Sequence, residues 1–133
     1  MFNKVKEIRS KTGELHFTRW RIFSIPKWNI NLYLHRIAIN DLDKHPHDHP
    51  WNYITFIIKG GYVERCNDRV CIRQLFDISR KKATETHKIV HLLGKVCYTL
   101  VFTYGKKRTW GYQTEKGWID HVTYRFKKRN NDL

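Results

Sequence analysis

The segment His45-Pro46-His47-Asp48-His49-Pro50-Trp51 runs into Asn52-Tyr53-Ile54-Thr55-Phe56-Ile57-Ile58 and then the turn Lys59-Gly60-Gly61. Side chains two apart on an extended backbone point the same way, so His47 and His49 present both imidazoles from one face of a strand. Imidazole is the commonest protein ligand for zinc, iron, copper and nickel, and a strand already aims the pair. Pro46 and Pro50 each fix a backbone dihedral, which stiffens the segment where ligands need set geometry. The same alternation turns Asp48 to the opposite face and points Trp51, Tyr53, Thr55 and Ile57 inward with the two histidines.

A clamp needs a third ligand, and the other histidines besides His45 are His16, His35, His87, His91 and His121. His87 and His91 lie in Thr86-His87-Lys88-Ile89-Val90-His91-Leu92, where a spacing of four suits one face of a strand or of a helix. The β-branched pair Ile89-Val90 and the following Gly94-Lys95 turn favour paired strands. The expected metal ligands are therefore His47, His49 and His87. The expected catalytic residues are His91, as a fourth ligand or general base, and Tyr53, as a hydrogen-bond partner of substrate or else a core tyrosine. Arg36 and Arg108 are the candidate substrate-binding residues. Arg36 either points inward to grip an anion bidentately or faces solvent from its strand, and Arg108 precedes Trp110 and Tyr112 in a similar context.

Composition bounds the alternatives. A chain of 133 residues with five Trp, seven Tyr and seven Phe suits one domain with a real core. Three cysteines, Cys66, Cys71 and Cys97, make no CxxC and argue against a disulfide scaffold or a thiolate zinc knuckle. Neither a long apolar run nor the apolar core of a signal peptide is present, so a cytoplasmic protein without a membrane partner is expected. Lys and Arg total 26 against 12 Asp and Glu, a formal charge of +14. That imbalance favours a small anionic or phosphorylated substrate, or a nucleotide or nucleic acid. Walker loops, dinucleotide fingerprints and recognisable nucleic-acid modules are missing. A homodimer is left open.

From Phe17 onward short strands alternate with turns, the pattern of an antiparallel sandwich or barrel. Strands are expected over 17–24, 31–39, 51–58, 62–66, 70–75, 87–92, 96–104 and 118–126, with a short helix over Asn3 to Ser10. The division expected is a lead segment 1–16, a β-barrel domain 17–126 and a basic tail 127–133.

Two histidines spaced HxH at the entry to a strand, a glycine turn at Gly60 and a third histidine on a later strand at His87 resemble the two motifs of the cupin superfamily. More narrowly, HDHPWNYITFIIKGGYVE, with ETHKIVHL and TLVFTYGKKRTWGYQTEKGWI, is similar to small cupin-like proteins of phage and bacterial genomes. The resemblance covers roughly residues 31 to 124. It implies an all-β, single-domain double-stranded β-helix, or jelly roll, with a metal in the barrel mouth. Where those motifs place an acidic ligand, this chain has Tyr53 and Ile54, and His91 stands where the second motif has Asn. HxD is absent too, which argues against an oxygenase that uses 2-oxoglutarate. The resemblance implies a three-histidine site for a divalent ion, Fe2+ first, with Zn2+, Mn2+ or Ni2+ as alternatives. It implies a dioxygenase-like enzyme, followed by a zinc or manganese hydrolase or isomerase. The competing reading is a basic jelly roll that binds nucleotide or nucleic acid with a structural metal or none.

Overall fold

The computed structural model describes residues 2–133; Met1, the first residue of the expected lead segment, lies outside the described residues. Eleven strands and one α-helix follow one another along them: β1 Asn3–Arg9, β2 Leu15–Ile25, β3 Ile30–Ile37, β4 Asn52–Lys59, β5 Tyr62–Cys66, β6 Arg69–Arg73, β7 Ile78–Lys81, β8 His87–Leu92, β9 Cys97–Tyr104, β10 Gly111–Thr114, β11 Gly117–Asp120 and α1 His121–Arg129. They form a single-domain all-β jelly roll. One sheet has six strands in the order β1-β2-β3-β9-β4-β7. The other face combines the antiparallel trio β6-β5-β8 with the hairpin β10-β11. His47 joins these two pieces, because it bridges His87 on one side and Tyr112 on the other. The clamp segment is thus itself a short length of strand in the second sheet.

Alternation does what the sequence predicts along β4. Tyr53, Thr55 and Ile57 are 5%, 6% and 1% exposed, so this parity faces the barrel interior. One buried cluster, Ile37, Ile57, Tyr62, Ile89 and Cys97, closes one end of the interior. A second, Tyr33, Tyr53 and Val101 with Trp51 against it, adjoins the histidines. The rest of the interior is polar, with Thr55, Glu64, Ser79, Lys81, His87, Thr99 and Thr103 all buried.

Three expectations are corrected. Residues 3–9 form not a helix but the edge strand β1, in antiparallel register with β2. Eight residues make a marginal helix in water, whereas the free edge of β2 supplies backbone partners. The strand expected over 118–126 stops at Asp120, which caps α1 by accepting from the backbone N–H groups of Val122 and Thr123. Lys127, Lys128 and Arg129 occupy the last turn of that helix, where cations complement its dipole. The boundaries expected at 16/17 and 126/127 fall inside β2 and α1. Strands β7 and β10 had no expected counterpart, being only four residues each.

Gly60 closes β4 at φ +75°, and a Cβ there would collide with the carbonyl oxygen of Val96. Both the left-handed backbone and the contact select glycine. Gly60→Ala should cost more than about 1 kcal/mol of stability, read from the urea midpoint at unchanged m.

Candidate metal centre

Three imidazoles meet inside the barrel mouth. His47 and His49 come from the segment before β4, and His87 opens β8. Their ring centroids lie 5.0, 4.9 and 4.9 Å apart, close to an equilateral triangle. One ring nitrogen from each lies within 4.8 Å of the other two. The backbones hold this arrangement. His47 and His87 exchange two N–H···O bonds of 2.9 Å, and His49 N–H donates to the Ala83 carbonyl at 3.0 Å.

Asp48 anchors the segment from the opposite face, as alternation requires. Its carboxylate accepts from Gly111 N–H at 2.7 Å and from Trp118 Nε1–H at 2.9 Å, and forms an ion pair with Arg108 at 3.1 Å. Arg108 also donates to the carbonyls of His49 and Ala83. Its guanidinium is therefore occupied in bracing the loop, while its side chain stands at the rim of the mouth.

His87 is aimed by a residue that sequence reasoning missed. Its Nδ1 donates to Glu64 Oε1 at 2.8 Å, which leaves Nε2 as the lone-pair nitrogen facing the other rings. Glu64 is 0% exposed. Its second oxygen accepts from Arg73 at 2.6 Å and from Lys81 at 3.0 Å. Burial alone would raise its pKa, but His87, Lys81 and Arg73 together hold the carboxyl well below the usual range. A carboxylate behind a ligating histidine fixes both tautomer and ring orientation. The signal for Glu64 was its parity with Tyr62 in β5; Lys81 carried none, since it lies in one of the two unexpected strands.

The other predicted residues divide clearly. Tyr53 lies beside the triangle: its ring is 4.5 Å from that of His49 and its hydroxyl 3.5 Å from His87 Nε2. Burial pushes its phenol well above the ordinary value, so the proton stays on. His91 does not join the triangle. The register of β8 against β5 slips between Ile89 and His91, so His91 leaves the face of His87 and is exposed. Arg36 is also corrected: it stands between Thr18 and Tyr98 on the outer face of the six-stranded sheet. Its neighbours His35 and Ile37 take the interior face, with Phe17 and His35 in ring contact. The arginine on that interior face is Arg19, opposite His35 and donating to His35 Nε2 at 2.9 Å.

Burial, followed by the neighbouring His87, lowers His47 to about 4, and burial lowers His49 well below the ordinary value. Both rings are neutral at pH 7 and offer lone pairs. Beside the triangle opens a pocket of about 660 Å³ lined by Pro50, Trp51, Lys107, Arg108, Thr109, Trp110 and His121. Trp110 stacks on His121 and turns its edge to His47.

No protein-family model matches the chain, and no curated protein matches it. Solved structures do. A cupin-2 domain protein from Rhodospirillum rubrum has a TM-score of 0.66 at 13% identity, covering 94% of this chain and 82% of that one. A cupin 2 conserved barrel domain protein from Rhodopseudomonas palustris scores 0.65 at 12% identity, covering 100% and 88%. Fe(II) HppE scores 0.64 at 9% identity, covering 77% and 56%. The chain thus spans about half of some structures it matches, 56% of Fe(II) HppE and 47% of a DMSP lyase structure. These likenesses establish the fold: the chain is a cupin-type barrel.

Replacing Glu64 with Gln leaves the Lys81 ammonium buried without its counter-charge, so Glu64→Gln should lose about 3–5 kcal/mol in urea unfolding. Acid acts in the same direction. A histidine with a lowered folded pKa binds fewer protons folded than unfolded, so metal-free protein should lose stability as pH falls from 6.5 towards 4. Thermal midpoints across that window check the sign; a midpoint that rises on acidification contradicts it.

Proposed function

We propose that this cupin barrel is a metal-dependent enzyme acting on a small anionic substrate, with His47, His49 and His87 holding a divalent ion, Fe(II) first, and a dioxygenase-like reaction. The observation that carries the reading is the His87 Nδ1–Glu64 hydrogen bond behind a near-equilateral triangle of imidazoles. A buried carboxylate that serves a ring nitrogen in this way is the support a ligating histidine needs. Fe(II) is favoured because a matching barrel, HppE, is an Fe(II) protein.

When bound, a divalent ion on three protein ligands supplies Lewis-acid or redox chemistry with coordination positions left open. The remaining work falls to the chain. Neutral His47 and His49 bring no negative charge, so an anionic substrate completes the electrostatics of the site. Tyr53 keeps its proton and its hydroxyl lies 3.5 Å from His87 Nε2; with that nitrogen given to the ion, the O–H donates instead to a group seated over the triangle. Its ring and that of Trp51 shield the floor from water.

Elemental analysis of protein purified without chelator, beside folded His47→Ala and His87→Ala variants, tests the reading. Near-stoichiometric metal in the wild type that disappears from both variants is the expected result, and iron directs the next assay to oxygen consumption. Wild-type protein that is metal-free and refuses added iron, zinc, manganese and nickel would sink it.

A further inference from the structure

The strand register brings two cations together on the inner face of the six-stranded sheet. Lys6 of β1 lies opposite Arg19 of β2, and Arg19 lies opposite His35 of β3. The Lys6 ammonium and the Arg19 guanidinium flank the same ring, Phe17, at 6.0 and 5.7 Å from its centroid. Like charges directly opposite across a pair of strands repel. Among the described residues neither cation has a carboxylate within salt-bridge distance. A half-buried guanidinium beside a second cation lacks its counter-charge.

Arg19 is also held in a defined pose. Its guanidinium lies 5.1 Å from the Tyr33 centroid and 5.7 Å from that of Trp51, while Nε donates to His35. Aromatic faces and one hydrogen bond fix its plane, and no protein acceptor takes the terminal N–H groups among the described residues. Trp51 connects this cation to the site. It packs with Tyr33 against Tyr53, whose ring touches His49, and it lines the open pocket.

We infer that Arg19, with Lys6 beside it, is the oxyanion-holding end of the site, gripping the carboxylate or phosphoryl group of a substrate whose reacting end faces His47, His49 and His87. This rests on the enzyme reading and sharpens it. The substrate is a small molecule with its anionic group one aromatic layer from its reacting atoms. The planar fork suits bidentate contact with either oxyanion, and Arg19 replaces Arg36 as the specificity residue.

The test uses metal-free full-length protein, with inorganic phosphate in one arm and acetate in the other, read by calorimetric titration and by the Arg19 Nε–H resonance. Binding of at least one probe, with a shift of that resonance in the wild type, is expected. Arg19→Gln should weaken it about 10- to 100-fold, the worth of a hydrogen-bonded charge contact. Arg19→Lys, which keeps the charge but not the fork, should fall between, and Arg36→Gln on the outer face should bind as wild type does. Preference for phosphate marks a phosphoryl substrate and preference for acetate a carboxylate one. A wild-type resonance unmoved by both probes overturns the inference, even if the Arg19 variants do not fold. So does an equal loss in Arg36→Gln, which marks general surface attraction. Stoichiometric metal without an anion response refutes this inference alone; Arg19-dependent anion binding in protein that refuses metal refutes the enzyme reading alone.

Discussion

A carboxylate sealed from water ties the second sheet to the mouth of the barrel. Glu64 on β5 accepts from His87 on β8, from Arg73 on β6 and from Lys81 on β7, so one side chain links four strands drawn from both sheets. Taking an ionised carboxyl out of water is costly, and it is tolerated here because both oxygens are filled by donors, two of them cationic. The arrangement is directional as well as stable. Only with the Nδ1 proton of His87 committed to Glu64 does Nε2 face His47 and His49 as an acceptor.

The HDH segment plays two parts through one alternation. His47 and His49 face inward, while Asp48 faces outward to collect Gly111, Trp118 and Arg108. The backbone of His47 joins β8 to β10. The strand that carries His47 and His49 is therefore a structural member of the sheet, and the imidazoles are placed by ladder hydrogen bonds rather than by a free loop. Such a site loses little entropy when a ligand arrives, because its backbone is already ordered. The helix α1 packs near this region: Tyr124 stacks on Tyr112 at 3.8 Å and bonds His45 through its hydroxyl.

Much of the fold was legible from local pattern. Strands β5 and β8 begin and end where their runs of β-branched and aromatic residues do, and β4 keeps its inward parity throughout. The triad was legible for the same reason, since HxH on a strand has one geometric meaning. The N-terminal strand was not, because Asn3–Arg9 has little burial of its own and pairs only because β2 offers an edge. The Asp120 cap was present in the sequence, but the aromatic residues after it read equally as strand.

The chain's own pattern determined an all-β barrel, a histidine pair aimed by Asp48's outward turn, and a third histidine on a later strand, because alternation is a property of each strand by itself. Which residues meet across strands emerged only from the packed barrel. A register slip in β8 removed His91, a one-residue phase difference put His35 inside and Arg36 outside, and strand order set Arg19 beside Lys6 and Glu64 behind His87. Register and sheet order are long-range quantities, set by how all the strands pack at once, and no single stretch of sequence carries them.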